Sequence, residues 1–162
     1  MTEKKDGLWL NLGCGDKILE KFVNVDIRVF TKEDYEKAEC LWFDLNAPVW
    51  RWNNCVDYIL AHDIIEHLSD KIQTMNNIWL ALKGGGIVDI EVPTTDGPGA
   101  FQDPTHVSFW NERSFLYYEK GNIYRERFAE SYGIKAAFEI LQSNVSTSMD
   151  GPRLKIILRA VK

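Results

Sequence analysis

At 162 residues, with 45% apolar and 27% charged content, the chain reads as one soluble globular domain, residues 1–162, large enough to bury a core. A formal net charge of −5 argues against nucleic acid as a partner, because gripping phosphates needs a basic face. No apolar run is long enough to span a bilayer, so no membrane partner is expected. Cys14, Cys40 and Cys55 are odd in number and form no C-x-x-C pair, so neither a disulfide framework nor a metal site is expected. The charged start, Met1 to Asp6, is no signal peptide, and the expected location is cytoplasmic.

The first element is the apolar run Leu8 to Leu12, which empties into a turn holding Gly13 and Gly15. Such a turn offers N–H groups and closely approachable backbone to a polar ligand at the carboxyl edge of a sheet. Phe22 to Asp26 is a second strand that ends on a carboxylate. The connection between the two is short for a parallel crossover and leaves room for one turn of helix at Asp16–Glu20. Thr31 to Ala38 reads as a helix capped by Thr31, with acids in its first turn. Cys40 to Phe43 is a third strand, ending on Asp44.

Val56 to Ala61 is a fourth strand and runs into His62-Asp-Ile-Ile-Glu-His67. Glu66 and His67 begin the clearest helix of the chain. Ile72, Met75, Ile78, Trp79 and Leu82 share one face of it, and Gly84-Gly-Gly86 stops it. Gly86 to Val92 is a fifth strand, broken by Pro93. A long polar loop follows from Thr94 to Phe109, and loops this long with no structure of their own are usually functional or disordered. Asn111 to Glu119 reads as a short helix. Ala137–Val145 and Leu154–Val161 are two final strands, joined as an antiparallel hairpin by the polar turn at Asp150-Gly-Pro152.

This alternation predicts an α/β fold: a doubly wound, mostly parallel seven-stranded sheet with a C-terminal antiparallel hairpin. Ligands of such sheets sit at the carboxyl ends of the strands. Those ends carry Gly13 and Gly15, Asp26, Asp44, His62 and Asp63, and the Thr94–Phe109 loop. The polar and glycine residues therefore collect on one edge.

At these positions the chain resembles the class I S-adenosylmethionine-dependent methyltransferases. Leu10-Asn-Leu-Gly-Cys-Gly15 is similar to the family's glycine motif, and Val23-Asn-Val-Asp26 to its acidic strand end. Phe43-Asp-Leu45 resembles the segment that meets adenine, and Asp57 to His67 the fourth strand and the turn after it. Leu82-Lys-Gly-Gly-Gly86 before a strand is also similar. The resemblance implies S-adenosyl-L-methionine as cofactor, S-adenosyl-L-homocysteine as product, and contacts from Asn11, Gly13, Cys14, Gly15, Asp26, Ile27, Asp44, Leu45 and His62. Within it, Asp26 holds the ribose hydroxyls. Two positions depart from the motif. Lys17 stands where a third glycine is expected, and Asn11 where an acid is common.

Other nucleotide readings fit less well. A dehydrogenase G-x-G-x-x-G would need glycine at Ile18. His62-Asp-Ile-Ile replaces the Asp/Asn-Pro-Pro-Tyr/Phe motif of DNA amino-methyltransferases. The short first crossover and the loop Gln102-Asp-Pro-Thr-His106 resemble small methyltransferases associated with bacterial or phage surface-sugar genes.

Methyl transfer from a sulfonium needs an aligned, desolvated nucleophile and sometimes a base. His106, flanked by Asp103 and Phe109-Trp110, is the candidate catalytic base, against the alternative of a loop histidine bonded to its own backbone. His67 reads as a packed, hydrogen-bonded histidine at a helix start. The expected acceptor is an oxygen or nitrogen of a small molecule or sugar. A cofactor-binding module without turnover, or a macromolecular (protein or RNA) acceptor, are the alternatives. A homodimer partner is one way to close an open cleft.

Overall fold

The structure is a computed structural model that describes residues 7–162. Its seven strands are β1 (Trp9–Leu12), β2 (Val23–Asp26), β3 (Cys40–Trp42), β4 (Val56–His62), β5 (Leu82–Pro93), β6 (Phe138–Ser148) and β7 (Gly151–Ala160). They form one sheet in the order β3-β2-β1-β4-β5-β7-β6. The first five run parallel, while β7 pairs antiparallel with both β5 and β6. This is the predicted mostly parallel sheet with a terminal hairpin.

The register sorts the strand residues by face. Leu10 lies beside Val23 and Ile59, Ile59 beside Val88, and Val88 beside Leu158. These buried side chains join Met75, Ile78 and Ala81 of α2 (Lys71–Ala81) in one core. Trp110, Phe115, Tyr118 and Ile134 complete it from the chain after β5. Phe115 ends the short helix α4 (Glu112–Phe115), which Asn111 caps.

The opposite face differs along the sheet. Near β3, a small cluster of Cys14, Ile18 and Phe30 lies against Cys40. There α1 (Lys32–Lys37) is closed by a capping box from Thr31. Across β1 and β4, Trp9, Phe22 and Tyr58 form an aromatic group with ring centroids 5.5–6.1 Å apart. Further along, β4, β5 and β7 present charged side chains there, including His62, Asp89, Glu91, Arg153 and Lys155.

Three expectations are corrected. No helix forms at Asp16–Glu20. The connection is a run of tight turns, with Lys17 N donating to Cys14 O and Phe22 N to Leu19 O. Buried Asn11 and Asn24 satisfy its backbone instead: Asn11 Nδ2 donates to Lys17 O at 2.8 Å, while Asn24 Oδ1 accepts from Leu19 N at 2.9 Å. Glu66 and His67 also do not open the long helix. They lie in a separate 3-10 turn, Ile65–His67, after which Leu68 is extended and Asp70 caps α2 through Gln73 N. The Thr94–Phe109 loop, finally, is neither free nor without structure. It holds α3 (Gly99–Gln102), and both Val107 N and Ser108 N donate to Glu66 O.

One helix, α5 (Ile123–Tyr132), has no counterpart among the predicted elements. Asn122 caps it and Gly133 ends it at φ 73°. None of its residues is buried. Tyr124, Phe128 and Tyr132 pack instead against Tyr117, and Phe128 also against Tyr132. Among the described residues no helix is long and apolar enough to cross a membrane.

Candidate cofactor and acceptor site

The carboxyl edge of β1 and β2 is drawn together by one side chain. Asp26 Oδ2 accepts from Gly15 N at 2.8 Å, and its Oδ1 from Arg28 N at 2.9 Å. The turn between them needs left-handed backbone at Gly13 (φ 60°) and Gly15 (φ 48°), which glycine takes without strain. A Cβ on Gly13 would lie 2.5 Å from the Ile64 side chain, whereas one on Gly15 would meet nothing within 4 Å. Gly13 is thus a packing glycine, and Gly15 faces open space at the strand ends.

Beside this turn lies a cavity of about 110 Å³, lined by Gly13, Asp26, Ile27, Asp44, Leu45 and Ile64, among others. Five of the nine candidate cofactor residues therefore line it, and a sixth, Gly15, adjoins it in the turn. The donor set suits a nucleoside with a charged tail. Asp26 keeps lone pairs for hydroxyls, Asp44 is exposed with one oxygen on Asn46 N, and Leu45, Phe43 and Leu68 give an apolar wall. Complete ligand sites run to roughly 300–1,000 Å³, so the cavity encloses one portion of such a ligand. The rest would lie along the open edge beside Gly15 and Ile27, which is 61% exposed.

Three candidates stand elsewhere. The Asn11 amide is committed to Lys17 O and Asn24. The Cys14 side chain turns into its small apolar cluster, where burial, then the Asp26 charge, pushes the thiol up to about 12. His62 points to the charged face of the sheet, with Nε2 2.9 Å from Asp89 Oδ1.

A second cavity, about 260 Å³, adjoins the first, and His67 lines both. Its walls carry Glu66, Gln102, Asp103, His106 and Arg153. His106 Nδ1 donates to Ala100 O at 3.0 Å, so the lone pair of the neutral tautomer lies on Nε2. Arg153 is held by ion pairs to Asp63 and to Glu91. Glu66 is 2% exposed, and its Oε2 has no hydrogen-bond partner among the described residues. Burial pushes that carboxyl up to about 7.

The polar loop after β5 supplies His106 to this second cavity. Its glycines have a structural cause. Neither has positive φ, but a Cβ on Gly97 would lie 2.3 Å from Pro152 Cδ, and one on Gly99 2.5 Å from Asp150 O. They let the loop pack against the β6–β7 turn. The contribution of Glu66 and His67 was not legible: both stand beside the apolar helix pattern, and nothing local marks Glu66 as buried.

A seven-stranded sheet in the order 3-2-1-4-5-7-6, with the seventh strand antiparallel and a glycine turn after the first, decides the architecture. The fold is that of the class I methyltransferases. Solved structures agree. A Burkholderia thailandensis 1,6-didemethyltoxoflavin-N1-methyltransferase, bound to 1,6-didemethyltoxoflavin and S-adenosylhomocysteine, superposes with TM-score 0.67 at 15% identity, over 96% of this chain and 71% of that one. The N-methyltransferase NodS of Bradyrhizobium japonicum, in complex with S-adenosyl-L-homocysteine, gives 0.64 at 14%, over 96% and 79%. An S-adenosylmethionine-dependent methyltransferase of Methanosarcina mazei gives 0.63 at 14%, over 98% and 94%. At these identities the likeness to class I methyltransferases is one of fold. Comparison of the sequence with protein-family models finds no match, and comparison with curated proteins finds none.

Proposed function

We propose that the protein is an S-adenosylmethionine-dependent methyltransferase acting on an oxygen or nitrogen of a small molecule or sugar. The observation that carries this reading is the pair of adjoining cavities. One is bounded by the glycine turn, Asp26 and Asp44, and the other by polar groups, with His67 in the wall between them. Two solved neighbours of the same fold hold S-adenosylhomocysteine. The cofactor supplies an electrophilic methyl group. The chain's own residues then have to hold it and align a nucleophile with it.

In this reading Gly13 and Gly15 shape the turn, and Asp26, already fixed by two N–H donors, accepts from ribose hydroxyls. Asp44, Ile27 and Leu45 would border the base. The acceptor occupies the second cavity. Its carboxylates and its amide suit a ligand rich in hydroxyl donors, which favours a sugar or similar polyol. His106 is the residue assigned to acceptor chemistry, through its free Nε2. A free imidazole lone pair either takes a proton from the acceptor or binds a cation that makes the acceptor more acidic.

The test is to follow S-adenosylhomocysteine formation from S-adenosylmethionine with panels of sugars, small alcohols and amines, and in parallel with protein and RNA fractions. Turnover on a small hydroxyl or amine compound supports the reading. Turnover on protein or RNA alone replaces the acceptor class, and cofactor binding with no turnover on any panel makes the chain a binding module. His106→Ala should keep cofactor affinity and lose about a hundred-fold or more in turnover.

A further inference from the structure

Glu66, His67 and His106 offer one ligand atom each, and these atoms all lie within 4.8 Å of one another. The three come from two segments, the 3-10 turn after β4 and the loop after β5. The segments are pinned together by Val107 N and Ser108 N on Glu66 O and by Ser108 Oγ on Ile65 O at 2.8 Å. Each histidine has its Nδ1 engaged. His106 Nδ1 bonds Ala100 O, and His67 Nδ1 bonds Thr105 Oγ1 at 3.0 Å. Thr105 Oγ1 in turn donates to Asp103 Oδ1 at 2.7 Å. Both rings therefore present Nε2 lone pairs and have the outer-shell partners that orient metal-binding histidines. The third donor, Glu66, is a carboxylate 2% exposed whose Oε2 has no partner among the described residues. A buried, unpaired carboxylate oxygen is costly unless something positive meets it.

We propose that Glu66, His67 and His106 bind a divalent transition-metal cation in the wall between the two cavities. Two imidazoles and one carboxylate suit Zn²⁺, Co²⁺ or Mn²⁺ better than Mg²⁺ or Ca²⁺, which prefer oxygen alone. Metal–ligand bonds of about 2.1 Å place ligand atoms roughly 3.4 Å apart in a tetrahedral site, so the side chains close in by about 1 Å on binding. Three protein ligands leave a coordination position for the acceptor.

The role of the cation rests on the methyltransferase reading. An acceptor hydroxyl bound to it becomes more acidic and gives its proton to the Asp103 carboxylate, which stands 3.9 Å from His106 Nε2 and passes it to solvent. The oxygen lone pair forms the new bond to the methyl carbon. The carbon–sulfur bond breaks with its electron pair left on sulfur, giving the methyl ether and S-adenosylhomocysteine.

Occupancy of the three ligands is tested without turnover. The full chain, treated with chelator and dialysed, is titrated with Co²⁺ and followed by visible absorption, and with Zn²⁺ by calorimetry. One equivalent of Co²⁺ should give a ligand-field spectrum that Zn²⁺ displaces. Glu66→Gln, His67→Ala and His106→Ala should each weaken Co²⁺ binding more than about a hundred-fold, while His62→Ala, which removes the remaining histidine of the chain, should bind as wild type does. Circular dichroism and the affinity for S-adenosylmethionine, measured on the same variants, show whether each still folds and holds the cofactor. Absence of the Co²⁺ spectrum in the wild type, or its persistence in folded His67→Ala and His106→Ala, overturns the metal site and leaves the methyltransferase reading standing. Co²⁺ binding without any S-adenosylmethionine binding supports the metal site and removes its assigned role.

Discussion

Asp26 holds Gly15 by a hydrogen bond of 2.8 Å from the glycine N–H to its carboxylate, so the acid at the end of β2 fixes the turn at the end of β1. The same carboxylate borders the cavity proposed for the cofactor. Asp26→Ala should therefore lose the ribose contact and loosen the turn together. Charge-assisted hydrogen bonds are worth about 1.5–3 kcal/mol each, so a loss of roughly ten- to a hundred-fold in S-adenosylmethionine affinity is the expected minimum. Asp44→Ala should cost less, because Asp44 is exposed and, among the described residues, its side chain bonds only Asn46 N. Calorimetry on both variants checks the order, and a larger loss for Asp44 would reverse the two roles.

The two glycines of the turn should respond differently. Gly13→Ala meets Ile64 and also keeps an L residue at φ 60°. Left-handed backbone costs about 1–2 kcal/mol and overpacking about 1–3 kcal/mol. Combining it with Ile64→Ala removes the clash and not the backbone term, so the double variant should recover on the order of 1 kcal/mol relative to additivity. Gly15→Val has no neighbour to strike. It should stay folded with a modest loss of stability and lose cofactor affinity, since its side chain would project into the ligand's space. Urea melts and calorimetry separate these outcomes; a folded Gly15→Val that binds as well as wild type would remove Gly15 from the site.

Asn24 is fully buried and makes bonds to Asn11, Leu19, Phe22 and Glu39, all between 2.9 and 3.3 Å. Asn24→Ala strands several of these groups away from water, with an expected loss of about 2–4 kcal/mol. Because it also releases the turns that follow Gly15, cofactor affinity should fall with stability. A variant within 0.5 kcal/mol of wild type, about the noise for a surface change, would show that the crossover is held by something else.

Asp89 predicts an acid limb in stability. Burial raises its pKa, but hydrogen bonds from His62 and Lys155 outweigh burial and hold it below the usual carboxylate value. Tyr58 donates to the same carboxylate at 3.2 Å, and Glu91 stands 4.0 Å from the His62 ring. A depressed pKa in the folded state gives stability that is present above the unfolded value, about 4. It is lost as pH falls through the folded value. Asp89→Asn should flatten this loss below about pH 4 in denaturant melts. An unchanged slope would show that the network contributes nothing through ionisation.

The strand, glycine turn and acid at the proposed cofactor edge were legible because they are local. The apolar strand and Gly13-Cys-Gly15, followed by Phe22 to Asp26, report strand, turn and acid within one stretch, and Thr31 announces its own helix by a capping box. What was not legible is set by distant contacts. The helix expected at Asp16–Glu20 is replaced by turns because two asparagines on neighbouring strands serve its backbone. The period of α5 is carried by tyrosine and phenylalanine that pack on Tyr117 at the surface, so no aliphatic stripe marks it. Glu66 and His67 acquire their setting only when the loop bearing His106 folds back onto their turn.

The central claim is that the edge formed by Gly13, Gly15, Asp26 and Asp44 is built for S-adenosylmethionine. Calorimetric titration of the purified chain with S-adenosylmethionine, S-adenosylhomocysteine and NAD tests it most directly. Saturable one-to-one binding of the first two, each competing with the other and each weakened by Asp26→Ala, is the predicted result. Saturable binding of NAD with no heat from S-adenosylmethionine or S-adenosylhomocysteine would contradict it.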